Sequence, residues 1–242
     1  MRVIVNGAGG RMGKAITAMI EKSPDIQIAG LVDTFVTGEG LVSSLDQCGE
    51  ADCIIDFSNH AGTGELMAYA VEKKLPVVVC TTGHTQKELQ EISGAAKEIP
   101  VFHSGNMSVG IALLTSLAKQ TAAMFPDADI EIVESHHNQK LDVPSGTALM
   151  LYKAVQEARP DCQAVIGRHE NGKRQKKEVG IHSLRMGNTV GIHEVIVNTG
   201  TQIITLKHEA QDRSLFAEGA LTAAAFLTAR KAGLYDMKDL VK

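Results

Sequence analysis

The chain has no tryptophan, and aromatic residues make up only 4% of its 242 positions. Proteins that hold single-stranded nucleic acid need aromatic faces on which bases stack, so this composition disfavours that class. Positive charge is also in short supply, with 24 Lys and Arg against 28 Asp and Glu and a net charge of −4. A surface for nucleic acid or another polyanion needs the opposite balance, so any anionic ligand must be drawn by local charge. The four cysteines, Cys48, Cys53, Cys80 and Cys162, form no CxxC pair, and Cys53 and Cys80 sit in apolar strand-like runs. That usage fits reduced, buried thiols in a cytoplasmic protein rather than a disulfide framework. No apolar run approaches the ~20 residues of a membrane span, and the N-terminus leads straight into a strand-like segment with no signal peptide. The expectation is a cytoplasmic chain with neither a membrane nor a nucleic-acid partner. A hydrophobic content of 44% over this length supports one large or two modest cored domains.

What is present concentrates in Glu134-Ser135-His136-His137-Asn138-Gln139-Lys140-Leu141-Asp142-Val143-Pro144-Ser145-Gly146-Thr147-Ala148. Two imidazoles, a lysine and a carboxylate precede a Pro-Ser-Gly-Thr turn, and the turn opens an Ala-Leu-Met-Leu-Tyr pattern that reads as a helix. The start of a helix presents unpaired N–H groups and the positive end of its dipole, which suits a carboxylate or phosphate. Proton-donating and cationic side chains lie just upstream, so a small anion that must also be protonated would be served there. Each part also has a plain structural use: adjacent histidines at a strand end, and Ser145 or Thr147 as a helix cap. Their conjunction in one loop favours the functional reading. No metal is expected, because the lysine repels a divalent ion and no cysteine is near.

The first half reads as repeated strand–turn–helix units. Arg2-Val3-Ile4-Val5-Asn6 is followed by Gly7-Ala8-Gly9-Gly10-Arg11-Met12-Gly13 and then a helical pattern through Ile20. That is the setting of a dinucleotide-binding loop, although the spacing is GxxGxxG rather than GxGxxG. A second strand, 26–32, ends at Asp33, about twenty residues beyond the last glycine, where a carboxylate meets the adenosine ribose. Asp33 would repel a 2′-phosphate and Thr34 follows it, so NADH is expected to serve at least as well as NADPH. Arg11 and Lys14 are the only nearby cations. Apolar runs ending at Asp56-Phe57-Ser58, Cys80-Thr81-Thr82-Gly83 and His103-Ser104-Gly105-Asn106-Met107-Ser108 alternate with helical patterns, as in a parallel sheet buried on both faces. The polar residues after each strand occupy the carboxyl edge, where such sheets bind ligand.

The second half differs. An apolar helix from Val109 leads to a strand, 128–133, that delivers Glu134 into the histidine-rich loop. The polar stretch 159–177, with its Lys173-Arg174-Gln175-Lys176-Lys177 run, reads as a solvated loop. Three alternating strands follow, at 179–185, 190–198 and 202–209. Turns at Met186-Gly187-Asn188 and Thr199-Gly200-Thr201 predict two antiparallel hairpins. An alanine-rich helix, 215–231, with Ser214 as its cap, closes the pattern. The fold class is α/β: a Rossmann-type doubly wound parallel sheet plus a smaller α+β domain with a mixed sheet, divided near Met107.

Taken together, these segments resemble the dihydrodipicolinate reductases (4-hydroxy-tetrahydrodipicolinate reductases) of bacterial lysine and diaminopimelate synthesis. Matching blocks run nearly end to end: Gly-Ala-Gly-Gly-Arg-Met-Gly, Ile55-Asp-Phe-Ser58, Thr81-Thr-Gly83, Asn106-Met-Ser-Val-Gly110, His182-Ser-Leu-Arg185, Gly191-Ile-His193 and Gly233-Leu-Tyr-Asp-Met237. The stretch 134–148 is the most specific. The resemblance implies nicotinamide-dependent reduction of a cyclic imine bearing two carboxylates, after its 4-hydroxyl leaves as water. It assigns His136 as general acid and Lys140 as its cationic partner, with His137, Ser145, Gly146 and Thr147 on the substrate. Cofactor contacts are expected at Gly7, Gly10, Arg11, Met12, Gly13 and Asp33, and also at Phe57, Ser58, Thr81, Thr82, Gly83, Ser104, Asn106 and Met107. The last helix would return to the first domain, giving a cofactor domain of 1–107 plus 213–242 and a substrate and tetramerisation domain of 108–212. Hinges would lie near Met107 and at Arg213–Ser214. A homotetramer built through the second sheet would make His193 and His208 structural rather than catalytic. The chain departs from the family in a short 33–53 segment, in Met107 where Phe is frequent, and in Cys80 where Gly is usual. Another two-domain Rossmann oxidoreductase, such as an aspartate dehydrogenase, would not need the Pro-Ser-Gly-Thr loop. A non-enzymatic NAD(H) sensor would need an output module in place of a proton donor beside an anion seat.

Overall fold

The computed structural model describes residues 1–241, and the chain divides into two compact units. The first comprises Met1–Ser108 and Ser214–Leu240, the second Val109–Arg213. No described helix is long and apolar enough to cross a membrane.

The first unit is built on a seven-stranded parallel sheet. Its elements are β1 (Arg2–Asn6), α1 (Arg11–Ile20), β2 (Gln27–Val32), β3 (Leu41–Val42), β4 (Cys53–Asp56), α2 (Thr63–Lys73), β5 (Val77–Val79), α3 (Gln86–Ala95) and β6 (Pro100–His103). The strands β4 and β5 are buried along their whole length, as β-branched runs covered on both faces must be. α3 opens on a reciprocal cap in which Thr85 Oγ1 accepts the Glu88 N–H and Glu88 Oε2 accepts the Thr85 N–H at 2.6 Å. The order from one edge inward is β3-β2-β1-β4-β5-β6. It reverses direction between β1 and β4, and the carboxyl edge at that reversal is where such sheets bind ligand.

The second unit contains α4 (Val109–Met124), β7 (Asp129–His136), α5 (Gly146–Ala158), β8 (Gln163–Ile166), β9 (Glu178–Arg185), β10 (Gly191–Asn198) and β11 (Ile203–Ala210). Its sheet runs β11-β10-β7-β9-β8, with β10 antiparallel and β9 parallel to β7. One face carries Ile130, Ile132, Val179, Ile181, Val195 and Val197, which pack with Ile111 and Leu114 of α4 and with Leu151 and Val155 of α5. The chain then returns to the first unit as α6 (Ser214–Leu227), β12 (Gly233–Tyr235) and α7 (Met237–Leu240), with β12 pairing parallel to β6.

Two sequence-based expectations fail here. The turn at Met186–Asn188 is not a hairpin, because β7 lies between β9 and β10. The Met186 N–H donates to His136 O at 2.9 Å and the Asn138 N–H to Gly187 O at 3.2 Å, so this loop crosses the end of β7. The apolar residues of β7, β9 and β10 share the face that the two helices cover, with β7 at the centre. The basic run at 173–177 is not wholly solvated either. Arg174 is four-fifths covered, donates to the carbonyls of Ile130 and Glu178, and lies near Asp129, Glu131 and Glu178. Three short strands, β3, β8 and β12, were not foreseen, and α6 ends at Leu227 rather than Lys231. The Thr199–Thr201 turn does form a hairpin, with Asn198 opposite Ile203.

Candidate active site

The core-facing side of the second sheet changes character at the carboxyl end of β7. Side chains of a strand alternate between faces, so Glu134 and His136 continue the face on which Ile130 and Ile132 sit. Directly opposed residues share a face, and the register sets His193 against Glu134 and Arg185 against His136. Four polar side chains from three strands thus meet where the apolar core stops. α5 begins beside them, with Ser145 as its cap and the Ser145 hydroxyl accepting the Ala148 N–H at 3.2 Å.

Glu134 is the hub and is wholly buried. Arg185 grips it with both ends of its guanidinium, Nη1 to Oε2 and Nη2 to Oε1, each at 2.9 Å. Oε2 also meets His136 Nδ1 at 2.5 Å, and Oε1 accepts the Ser145 N–H at 3.2 Å. Burial alone would raise the Glu134 carboxyl, but the bonds from Arg185 and His136 outweigh it and hold it at about 2. As a carboxylate it only accepts, so the His136 proton at that contact resides on Nδ1. The opposite ring nitrogen, Nε2, is left as the atom that takes or releases a proton. A side chain at Gly191 would crowd that nitrogen, since a Cβ there would lie 3.2 Å from Nε2.

Burial lowers the His136 pKa; Glu134 opposes this, while Lys140 and Arg185 add to it. The His193 ring packs edge-on against His136 at 5.1 Å between centroids, and burial together with that neighbour pushes it down to about 4. Lys140 pairs with Asp142 at 2.8 Å, and Arg185 Nη2 donates to the Asp142 carbonyl, which ties the loop back to the sheet. His137 is half-buried, Gly146 is exposed and Thr147 is intermediate. The arrangement can seat an anion at the start of α5 and exchange a proton beside it.

In the first unit, a cavity of ≈320 Å³ at the carboxyl edge is lined by Gly10, Arg11, Met12, Phe57, Ser58, Thr81 and Thr82, together with Asn59, His60 and Cys80. α1 starts at Gly10 without a side-chain cap, the kind of helix start that suits a phosphate. Gly7 and Gly13 serve packing. A Cβ on Gly7 would lie 2.6 Å from the Phe57 backbone, and one on Gly13 would lie 2.1 Å from Gly7 O. The Asp33 carboxylate accepts the N–H groups of Gly9, Phe35 and Val36, each at 2.9 Å, and so folds its loop over the glycine turn. Ser104 and Asn106 bond within their own loop. Met107 is buried, with its carbonyl against Gly219 of α6, and Gly83 has a φ of +88°. These last residues and Asp33 do not line the cavity.

Sequence reading missed three members of the second-unit cluster: Glu134 as the partner of His136, Arg185 as its clamp, and His193. The alternation Ile130, Ile132, Glu134, His136 could have revealed the first. The other two depend on strand register. It also missed Asp56, buried beneath the cavity, which accepts from Asn6 at 2.8 Å, Ser58 Oγ at 2.5 Å and Thr81 Oγ1 at 2.7 Å.

A glycine turn at the reversal point of a parallel sheet, paired with a separate α+β unit that carries an imidazole–carboxylate site, defines a two-domain pyridine-nucleotide oxidoreductase. Comparison with known proteins narrows this. The profile described as "Dihydrodipicolinate reductase, N-terminus" matches residues 1–107, and "Dihydrodipicolinate reductase, C-terminus" matches residues 110–241. The 4-hydroxy-tetrahydrodipicolinate reductase of Caldanaerobacter subterraneus subsp. tengcongensis is 44% identical over 247 residues, covering 100% of this chain and 98% of that one. The enzyme of the same name from Brachyspira hyodysenteriae is 36% identical over 242 residues, covering 100% of both. The chain belongs to the dihydrodipicolinate reductase family. A dipicolinate-bound dihydrodipicolinate reductase from Paenisporosarcina sp. TG-14 shares the fold, with a TM-score of 0.85 at 23% identity over 99% of each chain.

Proposed function

We propose that this chain reduces 4-hydroxy-tetrahydrodipicolinate to tetrahydrodipicolinate, with loss of the 4-hydroxyl as water, in lysine and diaminopimelate synthesis. The observation that carries the reading is the Glu134–His136 pair beside the start of α5, with their bond at 2.5 Å. A ring dicarboxylate needs a cationic, donor-rich seat, which Ser145, Gly146 and Thr147 offer through the helix start, with His137 alongside. A bound dianion adds negative charge near His136 and favours its imidazolium, offsetting burial. Glu134 steadies that cation through Nδ1 and leaves Nε2 to deliver the proton to the ring. Lys140 supplies further positive charge at the substrate.

The glycine turn, the uncapped start of α1 and the lined cavity fit a dinucleotide. Gly10, Arg11 and Met12 would hold its pyrophosphate, while Phe57, Ser58, Thr81 and Thr82 line its path. A reduced nicotinamide bound there supplies the hydride. With the Asp33 carboxylate at the end of β2 and Thr34-Phe35-Val36 offering no cation, NADH should serve at least as well as NADPH. The outer face of the second sheet carries Val133, Leu184, Ile192, Ile196 and Ile203 among charged residues such as Glu131, Glu194 and Lys207, outside the cluster that α4 and α5 cover. This supports a homotetramer closed through that face, and the biosynthetic relatives fit a cytoplasmic setting.

The test is steady-state kinetics with NADH and with NADPH, using the freshly made condensation product of pyruvate and aspartate semialdehyde. The expected result is coenzyme oxidation that depends on this product, with kcat/KM for NADH at least equal to that for NADPH. Failure to oxidise either coenzyme rejects the assignment. A strong NADPH preference rejects only the role given to Asp33.

A further inference from the structure

The first unit has an imidazole–carboxylate pair of its own. His60 stands in the single helical turn His60–Gly62 between β4 and α2, and its backbone is fixed from both sides. Asn59 Oδ1 accepts the Ala61 N–H at 3.0 Å, and the His60 carbonyl accepts the Thr63 hydroxyl at 2.6 Å. The ring reaches the start of α3, where Nδ1 lies 3.0 and 3.1 Å from the two carboxylate oxygens of Glu88. Glu88 also takes the Thr85 N–H, and that bond, then the one from His60, holds its carboxyl down at about 2. At neutral pH it can only accept, so the proton of this contact sits on His60 Nδ1. Nε2 is the nitrogen left over, without a hydrogen bond among the described residues. The side chain is 38% exposed, and His60 lines the same cavity as Gly10 and Arg11. A tie between two turns accounts for the Nδ1 contact but is indifferent to what meets Nε2.

Several groups bear on the charge of this ring. Glu88 of α3 favours an imidazolium, while Arg11 of α1, across the shared cavity, opposes it. A charged His84 would also oppose it, being edge-on to His60 at 6.3 Å between centroids. His103, at the end of β6, stands 5.2 Å behind His84, and burial and that neighbour lower its pKa. The Cys80 thiol is pushed well up by burial, and the Asp56 carboxyl is occupied by Asn6, Ser58 and Thr81. One carboxylate is thus set against one guanidinium, and a pyrophosphate in the cavity would tip that balance toward the imidazolium. We propose that His60, aimed by Glu88, is a coenzyme-binding residue that takes a proton from solvent as the dinucleotide enters and donates Nε2–H to its pyrophosphate. Such a charge-assisted bond is stronger than a neutral one. Coenzyme affinity is thereby coupled to pH within the first unit, separately from the proton chemistry at His136. This rests on the reading of the cavity as the dinucleotide site.

The experiment is calorimetric titration of the full chain in buffers of different ionisation enthalpy, which counts the protons taken up on binding. The ligands are NADH and ADP-ribose, which keeps the pyrophosphate and lacks nicotinamide. A fraction of a proton should be taken up with either ligand near neutral pH, and wild-type affinity should fall as pH rises and the ring loses its Nε2 proton. His60→Ala should abolish the uptake and weaken NADH binding about ten- to hundredfold at slightly acidic pH, with a smaller gap at alkaline pH. Glu88→Gln should keep the cap of α3, which glutamine also serves, yet lose most of the uptake. Unchanged NADH affinity in a folded His60→Ala, or uptake that survives in it, overturns the proposal and leaves His60–Glu88 a structural tie. Uptake with NADH but not with ADP-ribose overturns it too, because both carry the pyrophosphate. Unchanged uptake in Glu88→Gln overturns the aiming role. If His60→Ala does not fold, the wild-type proton count and Glu88→Gln decide. Wild type that binds neither ligand rejects the dinucleotide reading itself, whereas binding without proton uptake rejects only the role of His60.

Discussion

Replacing Glu134 with Gln isolates one charge at the centre of the second-unit cluster. Glu134 is held at about 2 against an ordinary value of 4.5. Its folded pKa is depressed, so its contribution to stability is fully present above about pH 4.5 and is lost as pH falls through about 2. At about 1.36 kcal/mol per pH unit, that contribution is about 3 kcal/mol at neutral pH. An independent estimate agrees: removing one partner of a buried ion pair costs about 3–5 kcal/mol, because the other charge is left uncompensated. Arg185 is that other charge, and its side chain is only 18% exposed. Denaturant unfolding of wild type and Glu134→Gln at equal protomer concentration should therefore differ by about 3 kcal/mol at pH 7. The gap should narrow below pH 4.5, to roughly half near pH 3.5, because the wild-type carboxylate is then losing its advantage. A catalytic sign follows from the same geometry. Without the carboxylate, the His136 imidazolium loses its stabilising partner, so the fall in turnover on the alkaline side should move to lower pH. A gap under about 1 kcal/mol at pH 7, or one that does not change with pH, refutes the assignment of Glu134 as hub.

Two further changes test other parts of the molecule. His136→Gln should lower kcat by about a hundredfold or more while leaving the substrate KM within a few-fold, as loss of a proton donor does; the reverse pattern, in initial-rate data, would make it a binding residue. Gly13→Ala forces a Cβ to 2.1 Å from Gly7 O and 2.5 Å from Ala8 Cα, so it should cost about 1–3 kcal/mol of stability by thermal melts and weaken NADH binding by fluorescence titration; an unchanged melt would deny the tight packing of α1 on the glycine turn.

The alternation of apolar strands and amphipathic helices in the first half needs only local periodicity to be read, and the parallel sheet follows from it. Four strands of the second sheet and the pairing of β10 with β11 were legible; β8 and the place of β7 were not. A five-residue connection between β9 and β10 resembles a hairpin turn, yet β7 lies between them, parallel to β9 and antiparallel to β10. That non-local fact brings Arg185 opposite His136 and His193 opposite Glu134. His136, Lys140 and Ser145 were recognisable because they fall within ten consecutive residues, from the end of β7 to the cap of α5. Their partners Arg185 and His193 stand in blocks that carry the family resemblance, but nothing local in the sequence shows that they meet Glu134 and His136. Arg174 shows the same limit: its neighbours are charged and exposed, and only the carbonyls of Ile130 and Glu178 distinguish it.

The return of the chain to its first unit sets the order in which the molecule can be completed during synthesis. Residues 109–213 form an uninterrupted unit and can fold as soon as they are made. The parallel sheet, in contrast, lacks the β12 edge and the α6 cover over β4, β5 and β6 until residues 214–240 emerge. At roughly 5–20 residues per second, the nascent β4–β6 layer waits on the order of ten seconds with one apolar side bare. The later-encoded unit is therefore finished before the one that begins the chain, and the interval of greatest exposure to wrong contacts falls on the nucleotide-holding half.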